Sequence, residues 1–310
     1  MSQAPLSFVF GQIVKRGLLA AGHYRRVLRH VRFPGVVVLC YHGLRADDTP
    51  AGAMAFENLH VRASTFDAHC RVLRDTCDPI SLDDWRAALA GTAPLPPRPV
   101  LITFDDGYRS VLTIGAPVLK AHGLPAVVFV CSDPAERRRL LWFDDLAARE
   151  GEAAVDPWKA RPYADWMTAC AADTRVVADG DPRALLTGTE VGALSRQPGI
   201  EIGGHTARHP ILAHAAAAEQ RAEIEVNRAA LERWTARPVR AFAYPNGRPR
   251  VDYDAASIAV LTELGFDFAF TMQPACARSD EPALERSRFL VLSEVMAPEL
   301  AHRLTDAWCQ

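Results

Sequence analysis

The sequence predicts an α/β fold in which parallel strands form a closed or nearly closed barrel. Seven short, apolar runs alternate with stretches of helical spacing, as expected for strands buried on both faces. The runs comprise residues 36–41, 100–104, 126–131, 200–203, 239–244, 266–271 and 288–292. A Gly-x-Gly-x-x-Gly motif, which would indicate an open dinucleotide-binding sheet, is absent from the sequence. Seven strands without that motif favour a barrel.

One region interrupts this alternation, and one segment precedes it. Residues 132–198 show the least regular pattern, and we interpret them as an irregular insertion on the barrel face, not as a second domain. We therefore expect one catalytic domain, residues 35–310, which follows an N-terminal basic amphipathic helix in residues 1–34. That helix, over residues 8–32, fits either a peripheral anchor on anionic lipid or a solvated helix packed on the outside of the barrel.

The composition narrows the class of protein. A net charge of −2 over 310 residues argues against a nucleic-acid binder, which would carry a basic surplus. Seven scattered cysteines without a Cys-x-x-Cys pair fit reduced thiols in a cytosolic protein. No apolar stretch approaches the ~18 residues of a membrane-spanning helix. We expect a cytoplasmic protein, and the basic helix leaves an association with the inner face of the membrane open.

Two adjacent carboxylates follow the second predicted strand. Asp105 and Asp106 end the apolar run and precede Gly107. Barrels place catalytic residues at the carboxyl ends of their strands. Adjacent side chains on extended backbone point in different directions, so these two carboxylates can take two chemical roles. The alternative is a polar turn, because Asp-Asp-Gly is also common turn chemistry.

Two histidines, His205 and His209, follow the fourth predicted strand. If the backbone turns helically, side chains four residues apart share a face, and both imidazoles can reach one ion. A lone histidine is more often structural, but a pair in this setting favours a metal site. Two imidazoles and one carboxylate would leave positions open for water and substrate on Zn²⁺, Fe²⁺, Co²⁺ or a similar ion.

A third motif, Ala-Phe-Ala-Tyr-Pro-Asn-Gly at residues 241–247, also joins a strand to a turn. A backbone N–H of this turn could face an oxyanion that develops during hydrolysis. A plain strand-to-loop turn is the alternative.

Taken together, these motifs resemble those of the polysaccharide deacetylases, carbohydrate esterase family 4. The matching segments are Thr-Phe-Asp-Asp-Gly at 103–107, His-Thr-x-x-His-Pro at 205–210 and Phe-Ala-Tyr-Pro-x-Gly at 242–247. The family includes chitin, peptidoglycan and poly-N-acetylglucosamine deacetylases, and the similarity extends over most of the chain. It implies a distorted (β/α)₇ barrel.

The resemblance also implies a role for each motif residue. Asp105 matches the general base of the family. Asp106, His205 and His209 match its Asp-His-His metal triad, most commonly for Zn²⁺, with Co²⁺, Fe²⁺ and Ni²⁺ as alternatives. The backbone N–H of Asn246, or of a neighbour in the same turn, matches the oxyanion donor.

The arginine that braces the catalytic aspartate in many members is missing from the third motif, where this sequence has Ala243. Arg286, near the last strand, resembles the arginine of a related subgroup. We therefore expect Arg286 to brace Asp105, with Arg240 as the weaker alternative.

The general acid also departs from the commonest family pattern. Many members carry this histidine in a Leu-x-His motif near the C-terminus, and His302 does not lie in such a motif. A subgroup similar to poly-N-acetylglucosamine deacetylases has an early strand that ends in Tyr-His, as Tyr41 and His42 do here. The similarity implies that His42 is the general acid.

These expectations describe a hydrolase of carbon–nitrogen bonds other than peptide bonds. It would remove an N-acyl group, most commonly acetyl, from a saccharide during surface-polysaccharide or glycolipid biosynthesis, and its substrate could be an oligosaccharide, a polysaccharide or a lipid-linked sugar. We expect Tyr244, Tyr108 and Trp142 to contact the sugar, with core packing as the alternative. An N-formyl sugar deformylase, an O-acetyl esterase and a catalytically silent saccharide-binding protein are the competing functions.

Overall fold

The fold is that of a computed structural model, which describes residues 6–172, 176–178 and 180–305. Its strands are β1 (Val37–Tyr41), β2 (Leu44–Arg45), β3 (Val61–Arg62), β4 (Asp78–Pro79), β5 (Pro99–Phe104), β6 (Ala126–Val130), β7 (Ile200–Gly204), β8 (Ala241–Ala243), β9 (Phe268–Phe270) and β10 (Phe289–Leu290). Each of the seven predicted runs overlaps one of these strands. The strands β2, β3 and β4 are short additions that the sequence pattern did not predict.

Seven parallel strands form the main sheet, in the order β10-β1-β5-β6-β7-β8-β9. The short β4 pairs with β5 outside this order, and β2 pairs with β3 separately. A parallel bridge between Phe270 and Arg286 joins β9 to the segment that leads into β10. The two ends of the sheet therefore meet, and the predicted parallel barrel is confirmed.

Helices surround this sheet. They are α1 (Leu6–Ala20), α2 (His23–Leu28), α3 (Ala63–Thr76), α4 (Leu82–Leu89), α5 (Ala116–His122), α6 (Ser132–Arg137), α7 (Trp142–Glu150), α8 (Val155–Lys159), α9 (Tyr163–Ala172), α10 (Gly188–Ser195), α11 (Ala217–Thr235), α12 (Ala255–Glu263) and α13 (Ala297–Thr305). Within the described ranges, none of them is both long enough and apolar enough to span a bilayer.

The strands are buried on both faces, which explains their continuous apolar sequences. Val37 and Leu39 of β1 belong to the large apolar cluster that also contains residues of the surrounding helices. The intervening Val38 packs with Leu101 and Val127 in a second, smaller cluster. Because alternate residues of a strand point to opposite faces, the second cluster fills the inside of the barrel.

The N-terminal segment differs from the single helix predicted over residues 8–32. It forms two helices, because Gly22 has a left-handed backbone with φ of 69° and ends the first helix before α2 begins. Both helices pack against α13. Lys15 of α1 donates a hydrogen bond of 2.5 Å to Glu299 of α13. The segment is therefore attached to the outside of the barrel.

The irregular local structure predicted for residues 132–198 is wrong, because the described part of this region contains the five helices α6 to α10. Its role as an insertion on the barrel face stays a prediction. Its helices are short, and proline lies in the first turn of α6 (Pro134) and near the start of α8 (Pro157). Proline is tolerated there because the first N–H groups of a helix have no partner within it. The last helix of the region, α10, packs against β7 and α11 and belongs to the barrel.

Candidate active site

An open cleft of about 810 Å³ lies at the carboxyl ends of the barrel strands. Parallel strands end at the same edge of a sheet, so residues that are distant in sequence meet there. Six of the predicted site residues line this cleft, and they are His42, Asp105, Asp106, His205, His209 and Asn246.

Asp106, His205 and His209 are arranged to hold a metal ion. The Nε2 atoms of His205 and His209 each lie 3.4 Å from Oδ1 of Asp106. One donor atom from each residue lies within 4.8 Å of the others. Neither carboxylate oxygen of Asp106 has a hydrogen-bond partner among the described residues, although both are buried. A buried carboxylate is costly unless a cation compensates it, so the three side chains fit a divalent ion.

A non-helical loop brings the two histidines together, in contrast to the helical turn considered from the sequence. Thr206 and His209 have left-handed backbones, with φ of 65° and 64°. The loop is held by two hydrogen bonds. The N–H of His209 donates to Oγ1 of Thr206 over 2.9 Å, and the N–H of His205 donates to Oδ1 of Asn227 over 3.1 Å. Strained backbone of this kind is characteristic of functional sites.

Hydrogen bonding and burial set the protonation of the two imidazoles. Nδ1 of His205 lies 2.7 Å from the carbonyl oxygen of Ala243, so it is assigned as the N–H donor, and the lone pair of Nε2 faces Asp106. Burial lowers the pKa of His205, but the negative charges of the nearby Asp106 and Asp105 raise it by more. Burial lowers the pKa of His209 to about 3, which keeps this ring neutral. A neutral imidazole is the form that binds a metal.

Asp105 is paired with a buried arginine that sequence reasoning did not select. Arg288 is fully buried, and its two terminal nitrogens donate to Oδ1 and Oδ2 of Asp105 over 2.7 and 2.8 Å. Its Nε donates to the carbonyl oxygen of Thr271 over 3.0 Å, which fixes the guanidinium plane. Burial raises the pKa of Asp105, but the charge and hydrogen bonds of Arg288, together with the neighbouring His205 and His42, outweigh that effect and hold the pKa well below its usual range.

The prediction that Arg286 braces Asp105 is wrong. Arg286 donates to the carbonyl oxygen of Arg278 over 2.6 Å, and its guanidinium lies over the Trp85 ring at 5.4 Å. Residues 286 and 288 share a face of the extended chain, but position 288 lies about 7 Å closer to the cleft. The alternative, Arg240, pairs with Asp267 over 3.1 Å.

A second group of potential metal ligands adjoins the first and suits a metal less well. One donor atom each of Cys40, His42 and Asp105 lies within 4.8 Å of the others. However, both oxygens of Asp105 already accept from Arg288. Burial raises the pKa of the Cys40 thiol well above its usual value, so this group is neutral, whereas a metal binds the thiolate. Cys40 instead donates to Oδ2 of Asp105 over 3.4 Å.

The three aromatic residues expected to contact the sugar do not line the cleft. Tyr108 is fully buried and donates to Oδ2 of Asp144 over 2.7 Å. Tyr244 is also fully buried, and its hydroxyl donates to the carbonyl oxygen of Leu284 over 2.9 Å. The predicted substrate contact is wrong for both tyrosines. Nε1 of Trp142 donates to the carbonyl oxygen of His209 over 2.9 Å, so Trp142 supports a candidate ligand instead.

The cleft also contains charged residues that no sequence motif indicated. Lys159 of α8 lines it beside Asp156, and Arg248 lines it beside Asp252. These residues lie outside the three motifs, and only the folded chain places them at the cleft. Arg288, by contrast, stood inside a predicted strand, where a buried arginine is unusual.

The fold and the site together define an α/β-barrel protein with a candidate metal centre suited to hydrolysis. A sequence model of the polysaccharide deacetylase family matches residues 92–269, more than half of the chain. The chain belongs to this family, which confirms the resemblance inferred from the motifs.

Relatives and solved structures agree with this assignment. The poly-beta-1,6-N-acetyl-D-glucosamine N-deacetylase of Escherichia coli K12 is 26% identical over 261 residues, which is 80% of this chain and 35% of that protein. This chain thus spans about a third of that relative. The Streptococcus pyogenes deacetylase PplD, solved in complex with acetate, has a TM-score of 0.64 at 19% identity, covering 88% of this chain and 99% of that one. IcaB from Ammonifex degensii has a TM-score of 0.63 at 22% sequence identity, and the match covers 89% of this chain and 99% of IcaB. These two structures show the same barrel fold.

Proposed function

We propose that this protein is a metal-dependent hydrolase that removes the N-acetyl group from a saccharide. The observation that carries the proposal is the juxtaposition, in one cleft, of the Asp106–His205–His209 group and the arginine-paired Asp105. A divalent ion held by the three side chains would activate a water molecule and polarise the acyl oxygen. Two imidazoles and a carboxylate are a common catalytic Zn²⁺ donor set, so we propose Zn²⁺.

Asp105 acts as the general base. Its Oδ2 accepts hydrogen bonds from both Arg288 and Cys40, whereas Oδ1 accepts, among the described residues, from Arg288 alone. Each carboxylate oxygen has two lone pairs, so Oδ1 retains one that can accept the proton of the attacking water. Arg288 keeps the carboxylate ionised and fixes its plane.

His42 is the general acid, and the turn at Asn246 supplies the oxyanion donor. His42 lines the cleft, and its Nδ1 has no hydrogen-bond partner in the described part of the chain. As an imidazolium, it donates a proton to the nitrogen while the carbon–nitrogen bond breaks. Asn246 lines the same cleft with a left-handed backbone, φ 54°. Its N–H stabilises the negative charge that develops on the acyl oxygen.

The substrate we propose is an oligo- or polysaccharide that contains N-acetylglucosamine, modified during the synthesis of a surface polysaccharide. The Escherichia coli relative is named as a deacetylase of such a polymer, poly-beta-1,6-N-acetyl-D-glucosamine. The cleft, about 810 Å³, is large enough to hold a sugar ligand.

Acetate release from N-acetylglucosamine oligomers tests the proposal. We expect wild-type protein loaded with Zn²⁺ to release acetate, and Asp105→Asn to lose at least about 10³-fold in rate while it still binds metal. His205→Ala should lose both acetate release and metal binding. Asp156→Asn is the matched control, because Asp156 also lines the cleft but contacts none of the proposed catalytic groups.

Parallel assays on N-formyl and O-acetyl sugars define the acyl group. Release from either of these alone, with none from the N-acetyl substrate, would overturn the proposed specificity. Equal rates for wild type and Asp105→Asn would overturn the assignment of the base.

A further inference from the structure

The N-terminal helices carry a charge opposite to that of the rest of the chain. All 37 Asp and Glu residues lie after position 46, whereas six of the 35 Lys and Arg residues lie before position 33. The barrel and its insertion are therefore acidic overall, and the segment that forms α1 and α2 is basic. Charge separation of this kind directs a protein toward an anionic surface.

Five arginines of this segment are available to an external partner. They are exposed and form no ion pair within the described ranges, and they are Arg16, Arg25, Arg26, Arg29 and Arg32. Lys15, in contrast, is neutralised by Glu299. We call the five arginines, with α1 and α2, the N-terminal basic surface.

Apolar side chains on the same surface distinguish between anionic partners. Ile13 and Val14 of α1 are 59% and 42% exposed. At a bilayer, such side chains enter the boundary between headgroups and acyl chains while neighbouring arginines bind lipid phosphates. A nucleic-acid backbone offers phosphates but no comparable apolar layer.

We propose that the N-terminal basic surface binds an anionic lipid bilayer. Its arginine-rich part lies at the end of the barrel opposite the cleft. The guanidinium of Arg98 donates a hydrogen bond of 3.2 Å to the carbonyl oxygen of Leu28. The N–H of Phe33 donates one of 2.9 Å to the carbonyl oxygen of Pro97. Pro97 and Arg98 precede β5, and Asp105 follows its other end. Binding therefore leaves the cleft open to the aqueous phase.

Co-sedimentation of the full chain with vesicles tests the proposal. We expect binding to vesicles of phosphatidylcholine with phosphatidylglycerol, little binding to phosphatidylcholine alone, and a decrease with added salt. The variant Arg25→Glu, Arg26→Glu, Arg29→Glu should reduce the partition coefficient by at least about tenfold, because each cation near an anionic surface contributes about fivefold. Ile13→Ser with Val14→Ser should reduce it severalfold.

The matched control replaces three exposed arginines elsewhere on the protein by glutamate. They are Arg71, Arg233 and Arg278. It changes the net charge equally and should leave vesicle binding within about twofold of wild type. Equal losses in both triple variants, equal binding to both vesicle types, or tighter binding to duplex DNA than to vesicles would overturn the proposal. Circular dichroism confirms that each variant is folded, and the deacetylase assay plays no part in the outcome.

Discussion

At the scale of single residues, the cleft is marked by a buried ion pair between Asp105 and Arg288. Both side chains are almost fully buried, so neither charge is stabilised by water. Removing one member of a buried pair leaves the other charge uncompensated, which is far more costly than losing an exposed pair.

Arg288→Met should therefore lower the free energy of unfolding by about 3–5 kcal/mol. It should also reduce kcat/KM at least about 100-fold, and the low-pH limb of its pH profile should move to higher pH, because the pKa of the unpaired Asp105 rises. Arg286→Met is the matched control, and we expect kcat/KM within about threefold of wild type. Urea unfolding and steady-state kinetics measure both effects. The reverse ranking of the two variants would contradict the assignment of Arg288.

Trp142 has a role that can be separated from that of its aromatic neighbours. Its N–H holds the carbonyl oxygen of His209, whose backbone is left-handed. Trp142→Phe keeps an aromatic ring but loses this donor, so we expect Zn²⁺ affinity to fall roughly tenfold. Trp158→Phe, in the same aromatic region but without a bond to a candidate ligand, should leave affinity unchanged. Competition with a chromogenic chelator measures both constants, and equal affinities would refute this role.

The motifs identified the residues that line the cleft better than the buried residues that support them. Asp105, Asp106, His205 and His209 follow strand ends, and strand ends can be located in a sequence. The choice between Arg286 and Arg288 depends on how far each lies along one strand, which motif matching does not resolve. Tyr108 was misassigned because a tyrosine beside a catalytic motif can equally well point into the core.

At the scale of helices, short elements and a single glycine account for the differences from the predicted pattern. The insertion was expected to be irregular because its helices are short and contain prolines near their starts. The N-terminal helix was expected to be continuous because its basic and apolar residues keep a helical spacing through Gly22. Spacing alone does not reveal that the glycine backbone is left-handed.

The break between α1 and α2 yields a prediction about stability. Gly22→Ala places a side chain on a left-handed backbone, which should cost about 1 kcal/mol, although no atom lies within 4 Å of the new Cβ. Gly17→Ala, also in open space but inside α1, should stabilise the protein by about 0.5–1 kcal/mol. Chemical denaturation of both variants measures these opposite signs. Stabilisation by Gly22→Ala would contradict a left-handed backbone at Gly22.

At the scale of the whole molecule, the sequence predicted the barrel well because all seven strands are apolar on both faces. The sequence also predicted a closed or nearly closed sheet, but not the way in which it closes, since residues 286–290 form only a two-residue strand and one isolated bridge. The charged residues of the cleft, such as Lys159 and Arg248, also depend on how the insertion and loops fold over the barrel.

A buried acid behind the cleft makes global stability depend on pH. Asp144 is fully buried, and burial raises its pKa to about 7, although a hydrogen bond from Tyr108 opposes the shift. A raised folded-state pKa stabilises the fold below the unfolded pKa, and this contribution is lost as the pH rises through about 7.

Asp144→Asn removes this titration. Relative to the variant, we expect wild type to lose about 2–4 kcal/mol of stability between pH 5 and pH 9. Urea unfolding at both pH values and one fixed Zn²⁺ concentration measures the difference. A difference that stays constant with pH would mean that Asp144 does not titrate in this range.

The proposed chemistry depends on one divalent ion held by Asp106, His205 and His209. Anomalous X-ray diffraction at the zinc edge, on crystals of the Zn²⁺-loaded protein, tests it most directly. We predict one strong peak about 2.0–2.2 Å from a donor atom of each of the three side chains. The absence of a peak there, or a peak instead between Cys40, His42 and Asp105, would contradict the account.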